Sequence, residues 1–552
     1  SDSQKFYTLT GQILRQYNYA TFALESELVL TSTAYAIYPG LAVNELLVAY
    51  YDNNGTTVMP YSLVGTVDTN TLTSLQGLSG VSATANFANA CSIVPVDSGG
   101  STGGGGGSPP PPPPPVGGGG AFIPPLAGNI IPVVTEQPEI GPSTMASEDL
   151  NLTKQTDSEG EVTINVKPDP VKLLDMLQTK QEDKRIVLDI KELGQHTNIE
   201  LPSSVFIEAN KTAYYAVIAI QSDTTIYEVP VRLLSEDFLK QVWGKSIGTE
   251  DLQVNITMEN IDKEELDQIH NHMTADGFRP LSGSIDFTIS ITARGLTKEV
   301  SDFNDIYVTR SFIVPHVGSA DMVTALIYDP DTEQTSFVPA TVRVENSQTI
   351  IDVKAPHNSI YTIATSTKTF KDLTYHWAKE DIEFMASKKV VVGINSSEFK
   401  PELSVTRAEF SALLVRSLGL ATPNLASSIF SDVNSSAWYA GSVNAAASVG
   451  LISGYANGLF KPQGIITRQE MAVMIGRAIS YVGANSQQNY DLASLKDMKE
   501  IGGWAAVDVE LMLASGIMDI EDNSFKPNLI VTRADATVAL KRMLLMLNFV
   551  NQ

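Results

Sequence analysis

The spacing of apolar positions changes twice along this chain, and each change predicts a different kind of structure. In the first 98 residues, "FYTLTGQILRQY" and "ELVLTSTAYAIY" alternate β-branched or aromatic residues with polar ones. That period of two predicts strands. "NELLVAYYDNNGTTVMPYSLV" carries Asp52-Asn53-Asn54-Gly55 between two such runs, the composition of a hairpin turn. Periodicity then vanishes in "SGGSTGGGGGSPPPPPPPVGGGG". Glycine-rich coil flanks seven prolines, Pro109–Pro115, which predict a stiff polyproline II spacer of roughly 20 Å.

From about residue 143 both periods occur. "EVTINVKPDPVKLLDMLQTKQEDKRIVLDI" reads strand, helix over 170–179, strand. "DLQVNITMENIDKEELDQIHNHM" followed by "GSIDFTISI" reads the same way, with a helix over 263–272. Five strand-like runs follow, from "DIYVTRSFIVP" to "SIYTIATS", and predict a sheet-rich wall. From about residue 370 the pattern becomes helical and repeats. "SVTRAEF", "GIITRQEM" and "IVTRADA" each open an apolar helical run. Ahead of each lie an apolar-x-Asp opening, a tryptophan and Phe-Lys-Pro, with Trp377–Arg407, Trp438–Arg468 and Trp504–Arg533 spaced 30, 30 and 29 residues apart. A period of roughly 60 residues predicts units that complete one another's core.

The expected architecture is therefore multidomain. An all-β N-terminal domain (1–98) precedes a Gly/Pro-rich linker (99–142). A β-rich α+β middle region (143–369), of one or two subdomains, leads to a helical three-repeat module (370–552, with units 370–420, 430–483 and 495–552).

Within each repeat, Thr406, Thr467 and Thr532 are placed to cap the helix that follows. Glu409 and Glu470 three residues on complete capping boxes; Asp535 is shorter and is expected to reach back less well. Arg407, Arg468 and Arg533 are not explained by capping. A cation in the first helical turn faces the positive end of the helix dipole. Three such arginines need partners, either structural carboxylates or an external anion. The tryptophans fit a core anchor or a sugar-stacking face.

Net charge is −25 over 552 residues, with about −16 of it in 141–370 and about −2 in 371–552. Nucleic-acid binding is disfavoured, because phosphate affinity needs Lys and Arg. No apolar run is long enough to span a membrane. The single cysteine, Cys91, cannot form an intramolecular disulfide, and a small buried residue is expected there. Ser1 is preceded by no signal-like run, which is read as a processed form or a chain without one. His270 and His272 in "HNHM" point apart on a helix and make a poor chelate. "YDPDTEQ" and "DIEDNSF" could hold calcium through oxygen ligands, although neither has EF-hand spacing. No nucleophile–base, P-loop or Cys-x-x-Cys signature occurs, so no catalysis and no metal ligand is assigned.

The TRAE-type motif, the "DV…W" opening and "GLISGYANGLFKP", written three times, resemble the S-layer homology (SLH) family. The resemblance implies a helix-rich, trefoil-like module that binds secondary cell-wall polysaccharide, often ketal-pyruvylated, in grooves between units. Carried onto this sequence, it implies glycan contacts from Arg407, Arg468, Arg533, Asp372, Asp432, Asp497, Trp377, Trp438 and Trp504. Gly454 and Gly458 would let the glycan approach closely. The first and third units depart from the fuller turn of the second, so grooves involving the second unit are expected to be the most competent. The middle region is similar to segments that precede SLH units in surface proteins of Gram-positive bacteria; residues 1–98 resemble no family.

The expectation is a secreted, wall-anchored structural protein whose front domain mediates assembly, with itself or another surface protein, into a lattice or filament. Two readings of other classes stand beside it: a wall-anchored polysaccharide-active enzyme, and an adhesin binding through residues 1–98.

Overall fold

The computed structural model describes residues 143–551 apart from short loops, together with the backbone of seven strands between Lys5 and Ser79. The chain folds as two compact units, one built on Ser1–Leu126 and the other on Ala127–Glu500 and Ala505–Gln552.

In the first unit β1 (Lys5–Thr10), β2 (Ile13–Asn18) and β3 (Leu24–Val29) form an antiparallel sheet. β4 (Ala34–Pro39), β5 (Glu45–Asp52), β6 (Met59–Asp68) and β7 (Thr73–Ser79) form a second. β5 and β6 pair with Asp52 opposite Met59, so the expected hairpin forms. The residues joining these two strands, Cys91 and the expected linker lie outside the described residues, as does His316.

The second unit begins as a β-sandwich. Its elements are β8 (Ser143–Thr144), β9 (Thr153–Thr156), β10 (Val162–Val166), α1 (Pro170–Gln178), β11 (Arg185–Lys191) and β12 (His196–Pro202). There follow α2 (Ser203–Asn210), β13 (Val217–Ser222), β14 (Thr225–Pro230), α3 (Glu236–Trp243), β15 (Gln253–Asn260) and α4 (Lys263–Ala275). Next are β16 (Arg279–Pro280), β17 (Ile285–Ala293), β18 (Leu296–Glu299), β19 (Val308–Pro315) and β20 (Val323–Asp329). The last are β21 (Gln334–Val338), β22 (Ala340–Glu345), β23 (Gln348–Ala355) and β24 (Ser359–Thr365). One sheet has the order β21-β20-β24-β17-β15-β12-β10-β9, with β16 and β18 on its flanks; the other runs β22-β23-β19-β14-β13-β11-β8.

Both expected helices form, and their starts are chemically plain. Asp169 accepts from the Val171 and Lys172 amides with Pro170 in the first turn, and Asp262 accepts from Glu264 and Glu265. The two strand–helix–strand stretches nevertheless differ in topology. α1 carries the chain from one sheet to the other, whereas α4 joins neighbouring antiparallel strands of one sheet. The expected single wall is likewise two walls. β20, β21 and β24 lie in one sheet and β19, β22 and β23 in the other, with Pro339 at the crossing between β21 and β22. Alternation specifies which face of a strand is apolar, but not the partner across the core. On β17 the odd residues from Ile285 to Ala293 are buried and meet Tyr227, Phe312 and Ile351 of the opposite sheet in one core. A second small core under α4 joins Ile269 and Met273 to Leu326 and Tyr328.

Six helices make the C-terminal module: α5 (Lys379–Ser387), α6 (Arg407–Ser417), α7 (Ala440–Ser448), α8 (Arg468–Tyr481), α9 (Ala506–Ala514) and α10 (Arg533–Met546). The second helices of the three repeats, α6, α8 and α10, touch one another. Each also packs on the first helix of the next repeat: α6 on α7, α8 on α9, and α10 on α5. The ring closes because the third repeat returns to the first.

The module is joined to the sandwich by more than a linker. The edge strand β22 is covered by the chain after α10. The Ala340 amide donates to the Phe549 carbonyl at 2.8 Å, and the Asn551 side chain bonds both backbone groups of Val342. The Tyr307 hydroxyl donates to the Leu418 carbonyl at 2.8 Å. Buried His357 meets the Gly419 carbonyl at 2.9 Å. The amides of Ala340 and Val342 are therefore not offered to other chains.

Candidate functional site

The residues just before the Thr-Arg pairs form the centre of the ring. The Val405 amide donates to the Val531 carbonyl, Val531 to Ile466, and Ile466 to Val405, at 3.0, 3.1 and 3.1 Å. All three side chains are buried. The β-branched residue thus serves a three-cornered backbone junction where the repeats meet, and β-branched side chains favour that extended backbone.

All three capping boxes form. Glu409, Glu470 and Asp535 accept from the backbone N–H of Thr406, Thr467 and Thr532 at 2.8, 2.9 and 3.0 Å. Asp535 therefore reaches back as well as glutamate does, contrary to expectation. The next two amides of each helix, which have no partner within it, donate to the Phe-Lys-Pro loop of the following repeat. Arg407 and Ala408 donate to Gly464 and Pro462, Arg468 and Gln469 to Leu529 and Pro527, and Arg533 and Ala534 to Leu403 and Pro401.

The arginine side chains follow the same path. Nε of Arg407, Arg468 and Arg533 donates to the carbonyls of Phe460, Phe525 and Phe399 at 3.0, 2.9 and 3.1 Å. Nη2 donates to Ser453, Asp519 and Val392 at 3.2, 2.7 and 2.7 Å. Each guanidinium lies over the phenylalanine whose carbonyl it holds. The expected partner, a carboxylate or an outside anion, is thus in the first instance the backbone of the neighbouring repeat. Only Arg407 adds a carboxylate, Glu470 at 3.3 Å. With Tyr455 also over it, Arg407 is 8% exposed. Arg468 and Arg533 keep Nη1 without a protein acceptor among the described residues, and burial lowers both pKa values while leaving the groups charged.

The opening aspartates serve their own repeats. Asp372, Asp432 and Asp497 each receive two backbone N–H groups, from Phe399 and Lys400, Phe460 and Lys461, and Phe525 and Lys526. Those lysines have φ of 59°, 57° and 58°, a left-handed conformation that costs roughly 1–2 kcal/mol for a residue with a Cβ. The carboxylate clamp holds the strained turn and presents the phenylalanine carbonyl to arginine. Burial opposes ionisation of Asp372, but the Phe399 and Lys400 amides outweigh it and hold its pKa below the usual value. Gly454 is also internal: a Cβ there would lie 2.6 Å from the Phe430 ring and 2.9 Å from the Leu459 carbonyl. Gly458 supplies a turn at φ 76°.

The tryptophans are exposed rather than core anchors: Trp377 by 61%, Trp438 by 69% and Trp504 by 55%. Two of them rim grooves assembled from all three repeats. A cavity of about 220 Å³ is lined by Arg468 from the second repeat, the 517–526 turn and Arg542 from the third, and Trp377 from the first. A cavity of about 150 Å³ is lined by Arg533 from the third repeat, Val391, Val392 and Arg416 from the first, and Trp438 from the second.

Arg416 and Arg542 were not singled out in the sequence, although the signal is present there. Each lies nine residues after the motif arginine, as does Arg477. Each holds the turn of its own repeat: Arg416 donates to Val390, Arg477 to Ser453, and Arg542 to Gly516. Among the described residues no cluster of three or more His, Cys, Asp or Glu side chains is arranged to hold a metal ion, and no helix is long and apolar enough to cross a membrane.

This ring of three helix pairs, stapled by arginine, is an S-layer homology module. Residues 369–411, 429–472 and 494–537 match the model of the S-layer homology domain, so the last third of the chain belongs to that family, whose members anchor cell-surface proteins to the cell wall; the protein is extracellular and associated with the cell wall. The chain is similar to an amylopullulanase of Thermoanaerobacterium thermosulfurigenes, 28% identical over 369 residues, covering 67% of this chain and 18% of the relative. It is similar to the exoglucanase XynX of Acetivibrio thermocellus, 34% identical over 177 residues, 32% of this chain and 16% of the relative. A cellulosome-anchoring protein of Acetivibrio thermocellus is 34% identical over 151 residues, 26% of this chain and 33% of the relative. The chain thus spans a third or less of the length of these relatives. Residues 369–552 number 184, so at least 185 of the 369 residues shared with the amylopullulanase lie upstream of the repeats.

Proposed function

We propose that this protein is held non-covalently on a Gram-positive-type cell wall by its three-repeat module, which binds an acidic secondary wall polysaccharide in the grooves at Arg468 and Arg533. One observation carries this reading. In each groove a motif guanidinium retains an unspent Nη1, and an exposed tryptophan from the remaining repeat lines the same cavity. A carboxylated sugar meets both needs, with charge-assisted hydrogen bonds to the guanidinium and a ring face against the indole. The sandwich acts as the mount, and residues 1–98 as the displayed element through which the chain assembles with copies of itself or with another surface protein. In this reading the chain works by binding and performs no catalysis.

The test is co-sedimentation of the full chain with isolated cell walls, before and after the wall carboxyl groups are reduced to alcohols. Binding is expected to native wall and to fall at least about tenfold on reduced wall. Equal binding to both would overturn the carboxylate reading. A second reading has its own support: the similarity to an amylopullulanase runs through the middle region, so sandwich and module together suit the anchor of a polysaccharide-active enzyme. Release of reducing sugar from polysaccharide by the full chain would favour it.

A further inference from the structure

Resting on that reading of the grooves, we propose that the β-sandwich is part of the binding apparatus. It grips the first repeat at two places, and Thr324, Lys388, Lys389, Tyr307 and His357 are positioning residues that hold one wall of the Arg533 groove. The first sign is in the sequence. α5, α7 and α9 are the first helices of their repeats, and each ends in a short turn. The second and third repeats write that turn as Val449-Gly450 and Ser515-Gly516, with the glycines at φ 77° and 67°. Glycine is the usual residue there, because a Cβ is disfavoured in the left-handed region. The first repeat writes Lys388-Lys389, and Lys389 adopts φ 67° all the same.

Both lysines are spent on the sandwich. Lys388 is buried. Its Nζ donates to the carbonyls of Ala320 and Val323, just before and at the start of β20, and its own carbonyl accepts from the Thr324 hydroxyl at 3.2 Å. Lys389 Nζ donates to the Asp276 carboxylate at the end of α4 and to the Thr335 hydroxyl on β21, the latter at 2.7 Å. The second grip follows α6, where Tyr307 and His357 hold the carbonyls of Leu418 and Gly419. Gly419 has φ 60°, and a Cβ there would lie 2.7 Å from Cδ of Pro339, so the backbone sits directly on the sandwich.

These two grips bracket the Arg533 groove. Val391 and Val392 lie two and three residues after Lys389, Arg416 lies two before Leu418, and all three line the cavity. Arg416 ties the two sides together through the Val390 carbonyl at 3.0 Å. The Val392 carbonyl receives Nη2 of Arg533 at 2.7 Å, so a shift of this turn moves the acceptor that aims the motif arginine. The Arg468 groove is supported differently. Its corresponding wall, 517–526, bonds to Arg468, to Arg542 and to its own repeat. Ser515, at the position of Lys388, bonds its own helix through the Leu511 carbonyl at 2.6 Å. One groove is therefore built against the sandwich and the other within the module. Side chains that fix a binding group without touching the ligand act by preorganisation.

The test is equilibrium binding of the full chain to acidic secondary polysaccharide released from Gram-positive cell walls, with folding followed by circular dichroism. Lys389→Gly gives the first repeat the residue of the other two, which relieves the backbone and removes the grip. It is expected to keep the fold and to weaken binding about fivefold. Lys389→Arg, which keeps a charged donor, should stay within about twofold of wild type. In an Arg533→Gln background Lys389→Gly should cost nothing further, whereas in an Arg468→Gln background it should cost its full factor. Thr324→Val removes one hydroxyl from the sandwich side of the same joint and decides the matter if Lys389→Gly does not fold. It should weaken binding about threefold, with the same dependence on background. Wild-type affinity in both variants, or losses equal in the two backgrounds, would overturn the positioning role. Arg533→Gln and Arg468→Gln that each bind as wild type does would instead overturn the reading of the grooves.

Discussion

Arg407 and Arg533 occupy the same position of the same motif, yet one is sealed and the other is open. Arg407 has all three guanidinium nitrogens engaged, with Tyr455 and Phe460 against it. Arg533 has two engaged and faces a cavity. The difference arises in what surrounds the motif. Tyr455 stands where the first repeat has Ile394, and Glu470 reaches Arg407 while Glu409 is not hydrogen-bonded to Arg533. One motif therefore has two uses. It staples adjacent repeats everywhere, and it offers a donor to solvent only where the neighbours leave Nη1 uncovered. Tyr455 and Phe460 of the second repeat's turn face the sealed arginine.

The largest effect that would test this contrast is on stability. Arg407→Ala leaves one oxygen of half-buried Glu470 and two carbonyls without their donor and should cost about 2–3 kcal/mol, against about 1–2 kcal/mol for Arg533→Ala. Chemical denaturation of both variants measures the gap, and equal losses would remove the distinction. Next, Gly454→Ala should cost about 2–3 kcal/mol through the clash with Phe430. Loss of wall binding at unchanged stability would instead restore the glycan-approach role.

A smaller effect concerns Asp508, which lies near Arg477 beside the sealed site. Burial raises its pKa to about 6 despite Arg477. A carboxyl whose folded pKa is raised stabilises the fold below the unfolded value, and that contribution is lost as pH climbs towards 6. Asp508→Asn should therefore add on the order of 2 kcal/mol at pH 7.5 and little at pH 4. A gain independent of pH would show that charge is not the cause. The smallest expected change in stability comes from Trp438→Ala, under about 0.5 kcal/mol because the ring is exposed. The same substitution should still weaken binding to wall polysaccharide several-fold, and unaltered binding would remove Trp438 from the site.

Much of the module was legible because its signals are local. A threonine and an acid three residues apart read as a cap from sequence alone, since both partners lie within one helical turn. The partners of the arginines do not. Arg407 reaches 53 residues forward to Phe460, Arg468 reaches 57 forward to Phe525, and Arg533 reaches 134 back to Phe399. All three acceptors are backbone carbonyls, which no side-chain pattern marks. The partners of the aspartates are distant for the same reason: Asp372 binds amides 27 and 28 residues away. The second arginines were legible by their nine-residue spacing, but their contact with the grooves was not. In the sandwich, the apolar pattern identified β17 as a strand, while the sorting of six consecutive strands, β19 to β24, between two sheets depended on long-range pairing.

The sequence by itself determined the repeat, the helix starts, the strand faces and the surplus of three arginines at the wrong end of a dipole. These follow from hydroxyls, carboxylates and apolar spacing within a few residues of one another. Only the tertiary structure decided which arginine is spent. Ring closure brings each guanidinium against the next repeat's turn, and the residues that fill or leave that space come from chain segments far apart.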